Sequence, residues 1–220
     1  TDPARLRVIP RGIDPAAFPP AAWPDARARA AVAAAHPCLG GEGPLLLLPG
    51  RGTRLKGHAD AIDLLAALRG GGMDARLWMP GARDPARAAY VAELEAQARS
   101  LGVDHALAIT PPTDAIAAAY AASDLVLQLS RKPEAFGRTV IEALAAGRPV
   151  LGWDHGGVGE LLRELQPAGA APCFDAGALR AGALALLARS PAAAATMPSL
   201  THYSLRAMQD ATLSVYDELR

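Results

Sequence analysis

Two polar clusters have residue types and spacing that could do chemistry. The first reads Gly50-Arg51-Gly52-Thr53-Arg54-Leu55-Lys56-Gly57. Glycines let a backbone pass close to a ligand, and charge-assisted hydrogen bonds to phosphate are worth roughly 1.5–3 kcal/mol each. The loop is not a Walker A motif, because His58 follows Gly57 where that motif needs lysine. Nor is it G-x-G-x-x-G, because Leu55 stands at the third glycine position. Arg51 and Lys56 fit a diphosphate, with Gly50 and Gly52 allowing close approach, while Arg54 reads as a solvated charge. The second cluster runs Ser130-Arg131-Lys132-Pro133-Glu134-Ala135-Phe136-Gly137-Arg138 and then Thr139-Val140-Ile141-Glu142. Two carboxylates, Glu134 and Glu142, straddle a predicted helix start. A carboxylate accepts two hydrogen bonds side by side, which suits the vicinal diol of a ribose or hexose. The helix start offers free N–H groups to a phosphate. Taken alone, two glutamates at this spacing are usually a solvated helix position and a surface loop charge.

Such residues need a scaffold that brings distant loops together. Short apolar runs without polar alternation predict buried parallel strands at Leu45–Pro49, Ala75–Met79, Ala106–Thr110, Leu125–Leu129, Pro149–Trp153 and Ala171–Phe174. Helical stretches are predicted near 58–69, 86–101, 114–122, 138–146, 157–165 and 176–189, with start signals at Thr113-Asp114 and Asp175. The alternation predicts an α/β fold, a doubly wound parallel Rossmann-like sheet of about six strands. Ligands bind such sheets at the carboxyl ends of the strands, and both clusters directly follow a predicted strand. Residues 1–24 hold six prolines and read as a linker, followed by a helix over 25–36. A Pro/Ala-rich link at 191–198 precedes a final helix over 200–219. One domain over 1–220 is the predicted layout.

Composition narrows the function. The 220 residues carry 22 basic and 22 acidic side chains, so the net charge is zero and a nucleic-acid binder is disfavoured. No apolar run reaches the roughly 18 residues of a membrane span, and no signal-like start is present. The chain opens on Thr1 rather than Met, which suggests a trimmed chain or a piece of a longer one. Two cysteines, Cys38 and Cys173, cannot build a disulfide framework or a four-ligand zinc site unaided, and they read as reduced thiols. The 20 arginines and 51 alanines look like coding bias, whereas only two lysines occur and both lie in the two clusters.

Taken in order, these segments resemble the carboxyl-terminal, donor-binding domain of a retaining GT-B glycosyltransferase of family 4, from about Arg7 to Leu165. The resemblance rests on Val8-Ile9-Pro10-Arg11-Gly12-Ile13-Asp14 with Phe18, on G-R-x(4)-K-G at Gly50 to Gly57, on E-x(7)-E at Glu134 and Glu142, and on G-G-x-x-E at Gly156 to Glu160. It implies that Arg51 and Lys56 neutralise the donor diphosphate and that Glu142 holds the ribose. Glu134, with backbone N–H groups at Phe136 and Gly137, would hold the transferred sugar and the adjacent phosphate. The base would lie near Gly81 and Ile109-Thr110-Pro111. The donor substrate would be a nucleotide-diphosphate sugar such as a UDP or GDP sugar. No metal and no other cofactor is implied, in keeping with the lack of a D-x-D motif.

Arg138 departs from the apolar residue common after F-G; it either touches the donor or decorates the first helical turn. His155 and Lys132 read as structural and solvated respectively. The largest departure is the amino-terminal acceptor domain, which the resemblance places before Arg7. The piece alone is therefore expected to bind nucleotide sugar weakly and to transfer little or nothing. By resemblance the enzyme would be bacterial and cytoplasmic, serving cell-envelope polysaccharide or lipopolysaccharide synthesis, with any inner-membrane contact made by the amino-terminal domain. The alternative is a non-catalytic nucleotide-binding or interaction module with the same fold.

Overall fold

Apolar runs with no polar alternation must be covered on both faces, and six such runs form one parallel sheet. A computed structural model describes residues 6–22, 25–188 and 199–218. The link at 191–198 and parts of the predicted linker and terminal helices lie outside the described residues. The strands are Leu45–Leu47 (β1), Arg76–Pro80 (β2), Leu107–Thr110 (β3), Leu125–Gln128 (β4), Val150–Trp153 (β5) and Ala170–Ala171 (β6). Their order is β3-β2-β1-β4-β5-β6, all parallel. After β3 the chain crosses back to the free side of β1, where β4 joins, so the order reverses between β1 and β4. That is where a crevice opens at the carboxyl ends of a doubly wound sheet.

Successive residues of each strand feed opposite cores. Leu46, Leu77, Leu127 and Trp153 pack on one side. That side is covered by His58–Gly70 (α2), Ala88–Ser100 (α3) and Ala176–Leu187 (α7). Leu45, Leu47, Trp78 and Val126 pack on the other. There Ala26–Ala35 (α1), Ile116–Ala122 (α4), Arg138–Ala145 (α5) and Gly156–Leu165 (α6) close the second core. Asp25 and Asp175 cap α1 and α7 by accepting from the amides of Ala28 and Ala178, each at 2.9 Å.

Two boundaries differ from expectation by more than two residues. β6 was predicted over Ala171–Phe174 and ends at Ala171, because Pro172 has no N–H to give and Phe174 adopts a left-handed φ of 62°. The final helix, Leu205–Asp217 (α8), starts five residues after the predicted boundary, capped by Ser204. It contains no buried residue. It is joined to the amino-terminal segment through Ile13, whose N–H donates to Tyr203 O at 2.9 Å and whose carbonyl accepts from Leu205 at 2.7 Å.

Candidate functional site

The loops after β1 and β4 are brought into contact by local backbone geometry. After β1 a short turn at Arg54–Lys56 ends on Gly57, whose φ is +73°. A Cβ at that position would stand 2.0 Å from the Leu129 carbonyl oxygen, so only glycine lets this loop lie against the end of β4. The Arg131 N–H then donates to Leu55 O at 2.8 Å, stitching one loop to the other. The result is an ion pair between the clusters: Lys56 Nζ lies 2.5 Å from Glu134 Oε1. Glu134 also accepts from the Ser130 hydroxyl, and from Gln128 Nε2 at 3.4 Å. His155 Nε2 sits 2.7 Å from the Ser130 carbonyl and so holds the base of the loop. The Gly157 N–H donates to Glu134 O at 2.8 Å, and a Cβ there would fall 2.4 Å from Phe136 O. The glycine pair that opens α6 is thus the surface on which the Glu134 loop rests.

Glu142 is not a solvated helix charge. It is 8% exposed, and both of its oxygens are engaged. The Tyr120 hydroxyl donates to Oε2 at 2.9 Å, and Arg138 donates to Oε1 at 2.8 Å from the first turn of α5. Burial, and then the Glu142 charge, push the Tyr120 hydroxyl pKa well above its ordinary value. Arg138 therefore does more than decorate the helix, since its exposed guanidinium lids a buried carboxylate. Gly137 caps α5 without a side-chain hydrogen bond, so no side chain covers the helix start beside Phe136 as a cap.

Arg51 is exposed, and with Gly81, Arg83 and Pro111 it lines a cavity of about 680 Å³ at the ends of β2 and β3. The neighbouring polar atoms are engaged internally. Ile109 O accepts from Arg83 Nε at 2.9 Å, and Thr110 Oγ1 accepts from Trp78 Nε1 at 3.0 Å. Thr110 O accepts from the Gly81 N–H at 3.0 Å. Of the segment assigned to the base, Gly81 and Pro111 line the cavity, and the 109–110 atoms serve to shape it. Gly50 and Gly52 lie in the same loop as Lys56; the Gly50 N–H pairs with Pro80 O at 2.9 Å. Arg54 turns away onto α3, pairing with Glu93 and lying over the Tyr90 ring. Lys132 is exposed on its loop. Both cysteines are free thiols, and among the described residues no three His, Cys, Asp or Glu side chains gather as a metal cluster.

A model of the family described as glycosyl transferases group 1 matches residues 38–196. This chain belongs to that family. The D-inositol 3-phosphate glycosyltransferase of Jonesia denitrificans is 35% identical over 162 residues, which cover 71% of this chain and 37% of the relative. The chain therefore spans little more than a third of that relative's length. A glycosyltransferase from Rickettsia africae superposes with a TM-score of 0.84 at 24% identity, over 99% of this chain and 58% of the other. The HepE protein of Anabaena, solved in complex with UDP and glucose, gives 0.76 at 19% identity, over 96% and 56%. These two likenesses are of fold, and they place the sheet among GT-B glycosyltransferases.

Several residues of the candidate site in this group 1 family member were not predicted from the sequence. Gln128 is a polar residue within the run Leu125-Val126-Leu127-Gln128-Leu129, and Tyr120 is the one large polar side chain of an alanine-rich helix. Each was a visible exception in an apolar segment. His58 entered only as the residue that excludes a Walker motif. It is fully buried at the start of α2 with Nδ1 3.4 Å from Thr53 O, and burial lowers its pKa to about 4. Among the described residues no helix of the glycosyltransferase domain is long and apolar enough to cross a membrane.

Proposed function

We propose that this chain is the donor-binding half of a retaining glycosyltransferase that takes a nucleotide-diphosphate sugar and works with an amino-terminal acceptor domain in the cytoplasm. The observation that carries the reading is the Lys56–Glu134 contact at 2.5 Å, which joins a cation-bearing glycine loop to a carboxylate-bearing one where the strand order reverses. Lys56 and Arg51 would neutralise the diphosphate as it departs, an electrostatic role that needs no general-base carboxylate pair. The amino terminus of α5 would add backbone N–H groups at Phe136 and Gly137. Glu142 would hold the ribose, with Arg138 moving aside or sharing it, and Glu134 would take hydroxyls of the sugar. Transfer would proceed on the front face, with the leaving phosphate accepting the acceptor's proton. HepE's bound UDP and glucose make UDP the first nucleotide to test. The relative's name makes an inositol phosphate an acceptor to test beside a lipopolysaccharide-type glycan.

Calorimetric titration with UDP, GDP and ADP tests the reading. One nucleotide is expected to bind, and Lys56→Ala is expected to weaken it by about tenfold or more, the equivalent of one charge-assisted bond. If no nucleotide binds wild type, the donor reading fails and the interaction module takes its place.

A further inference from the structure

The carboxylate of Glu134 is backed by two buried polar side chains that the function described so far does not use. Gln128 is 7% exposed and Ser130 4%. Burying an amide and a hydroxyl costs free energy unless each finds a partner. Their partners are each other and Glu134. Ser130 Oγ lies 3.0 Å from Gln128 Oε1 and within hydrogen-bond contact of Glu134 Oε1, while Gln128 Nε2 reaches Glu134 Oε2.

Counting protons adds to this. Ser130 has one hydroxyl hydrogen and faces two acceptor oxygens, so it serves one at a time. The shorter contact is to the charged Glu134 Oε1, which takes the hydrogen and accepts from Lys56 Nζ as well. A diphosphate that draws Lys56 away removes one donor, and the Ser130 hydroxyl remains on that oxygen. The backbone need not move, because His155 holds the Ser130 carbonyl.

We propose that Gln128 and Ser130 are positioning residues for the donor sugar. They hold Glu134 from the strand side, one at each carboxylate oxygen, so that the carboxylate stays fixed and faces the sugar's hydroxyls after Lys56 has gone to the diphosphate. The proposal rests on the donor-domain reading above and deepens it. Neither residue would touch the nucleotide.

The test compares UDP with UDP-glucose, and GDP with GDP-mannose, by calorimetry on wild type, Gln128→Leu and Ser130→Ala. Wild type is expected to prefer the sugar nucleotide over the bare nucleotide. Both variants are expected to lose about three- to tenfold of that preference, with nucleotide affinity changed by less than about twofold. Should Gln128→Leu fail to fold, Ser130→Ala carries the test alone. The proposal is overturned if the preference survives in folded variants, if wild type shows none, or if sugar and bare nucleotide weaken equally. In those cases the donor reading stands as long as a nucleotide binds. If no nucleotide binds wild type, it is the donor reading itself that falls.

Discussion

His58 and Glu142 share a property that neither shows in the sequence: each is a titratable group kept from water beside the crevice. His58 is neutral in the folded protein because burial lowers its pKa to about 4 from an ordinary value near 6.5. Between those values the unfolded chain binds the extra proton and the folded one does not, so stability falls as pH drops from about 6.5 towards 4. The loss attributable to this residue is at most about 3 kcal/mol, and His58→Gln is expected to flatten the pH dependence of urea unfolding over that range. Glu142 depends on its neighbours instead. Tyr120→Phe removes the donor to Oε2 at 2.9 Å and is expected to cost about 1–3 kcal/mol of stability, read by the same denaturation. Glu134 and Glu142 were legible only through the resemblance, since their spacing alone reads as two solvated charges. Their surroundings were not, because Tyr120 reaches Glu142 from α4, 22 residues away, and no local pattern encodes that contact.

At the scale of elements, the site depends on how closely the loop after β1 can lie on the end of β4. Gly57→Ala would combine a left-handed φ with a Cβ 2.0 Å from a carbonyl oxygen. It is expected to cost at least about 2 kcal/mol and to weaken UDP binding, since Lys56 and Glu134 would be pushed apart. Gly72→Ala is the control: φ is +87° there, but no atom lies within 4 Å. That variant is expected to cost about 1 kcal/mol and to leave UDP affinity unchanged. Five of the six strands were legible nearly to the residue, because parallel strands buried on both faces leave continuous apolar runs. β6 was misplaced for a physical reason. Its run Ala171-Pro172-Cys173-Phe174 is apolar enough, yet Pro172 and the left-handed Phe174 stop the ladder. At the other end of β5, the Gln166 side-chain amide pairs with both backbone groups of Val150, at 2.8 and 3.0 Å, doing in part what a strand would do.

For the whole molecule, the amino-terminal segment and α8 form a single surface of distinct character. Val8, Leu213 and Tyr216 are exposed there at 93%, 61% and 63%, while Arg7 and Glu218 pair at 3.2 Å across it. Because none of these apolar side chains supports the core, Leu213→Ser with Tyr216→Ser is expected to change unfolding free energy by less than about 0.5 kcal/mol. The zero net charge excluded one class of partner, but it concealed how charge is arranged locally. In the Lys56–Glu134 pair each loop supplies the other's counter-ion. An incoming diphosphate would exchange one partner of Lys56 for another, and its gain would be a difference between two pairings. Binding would then depend only shallowly on salt, and the carboxylate would be freed in the same step that captures the phosphate.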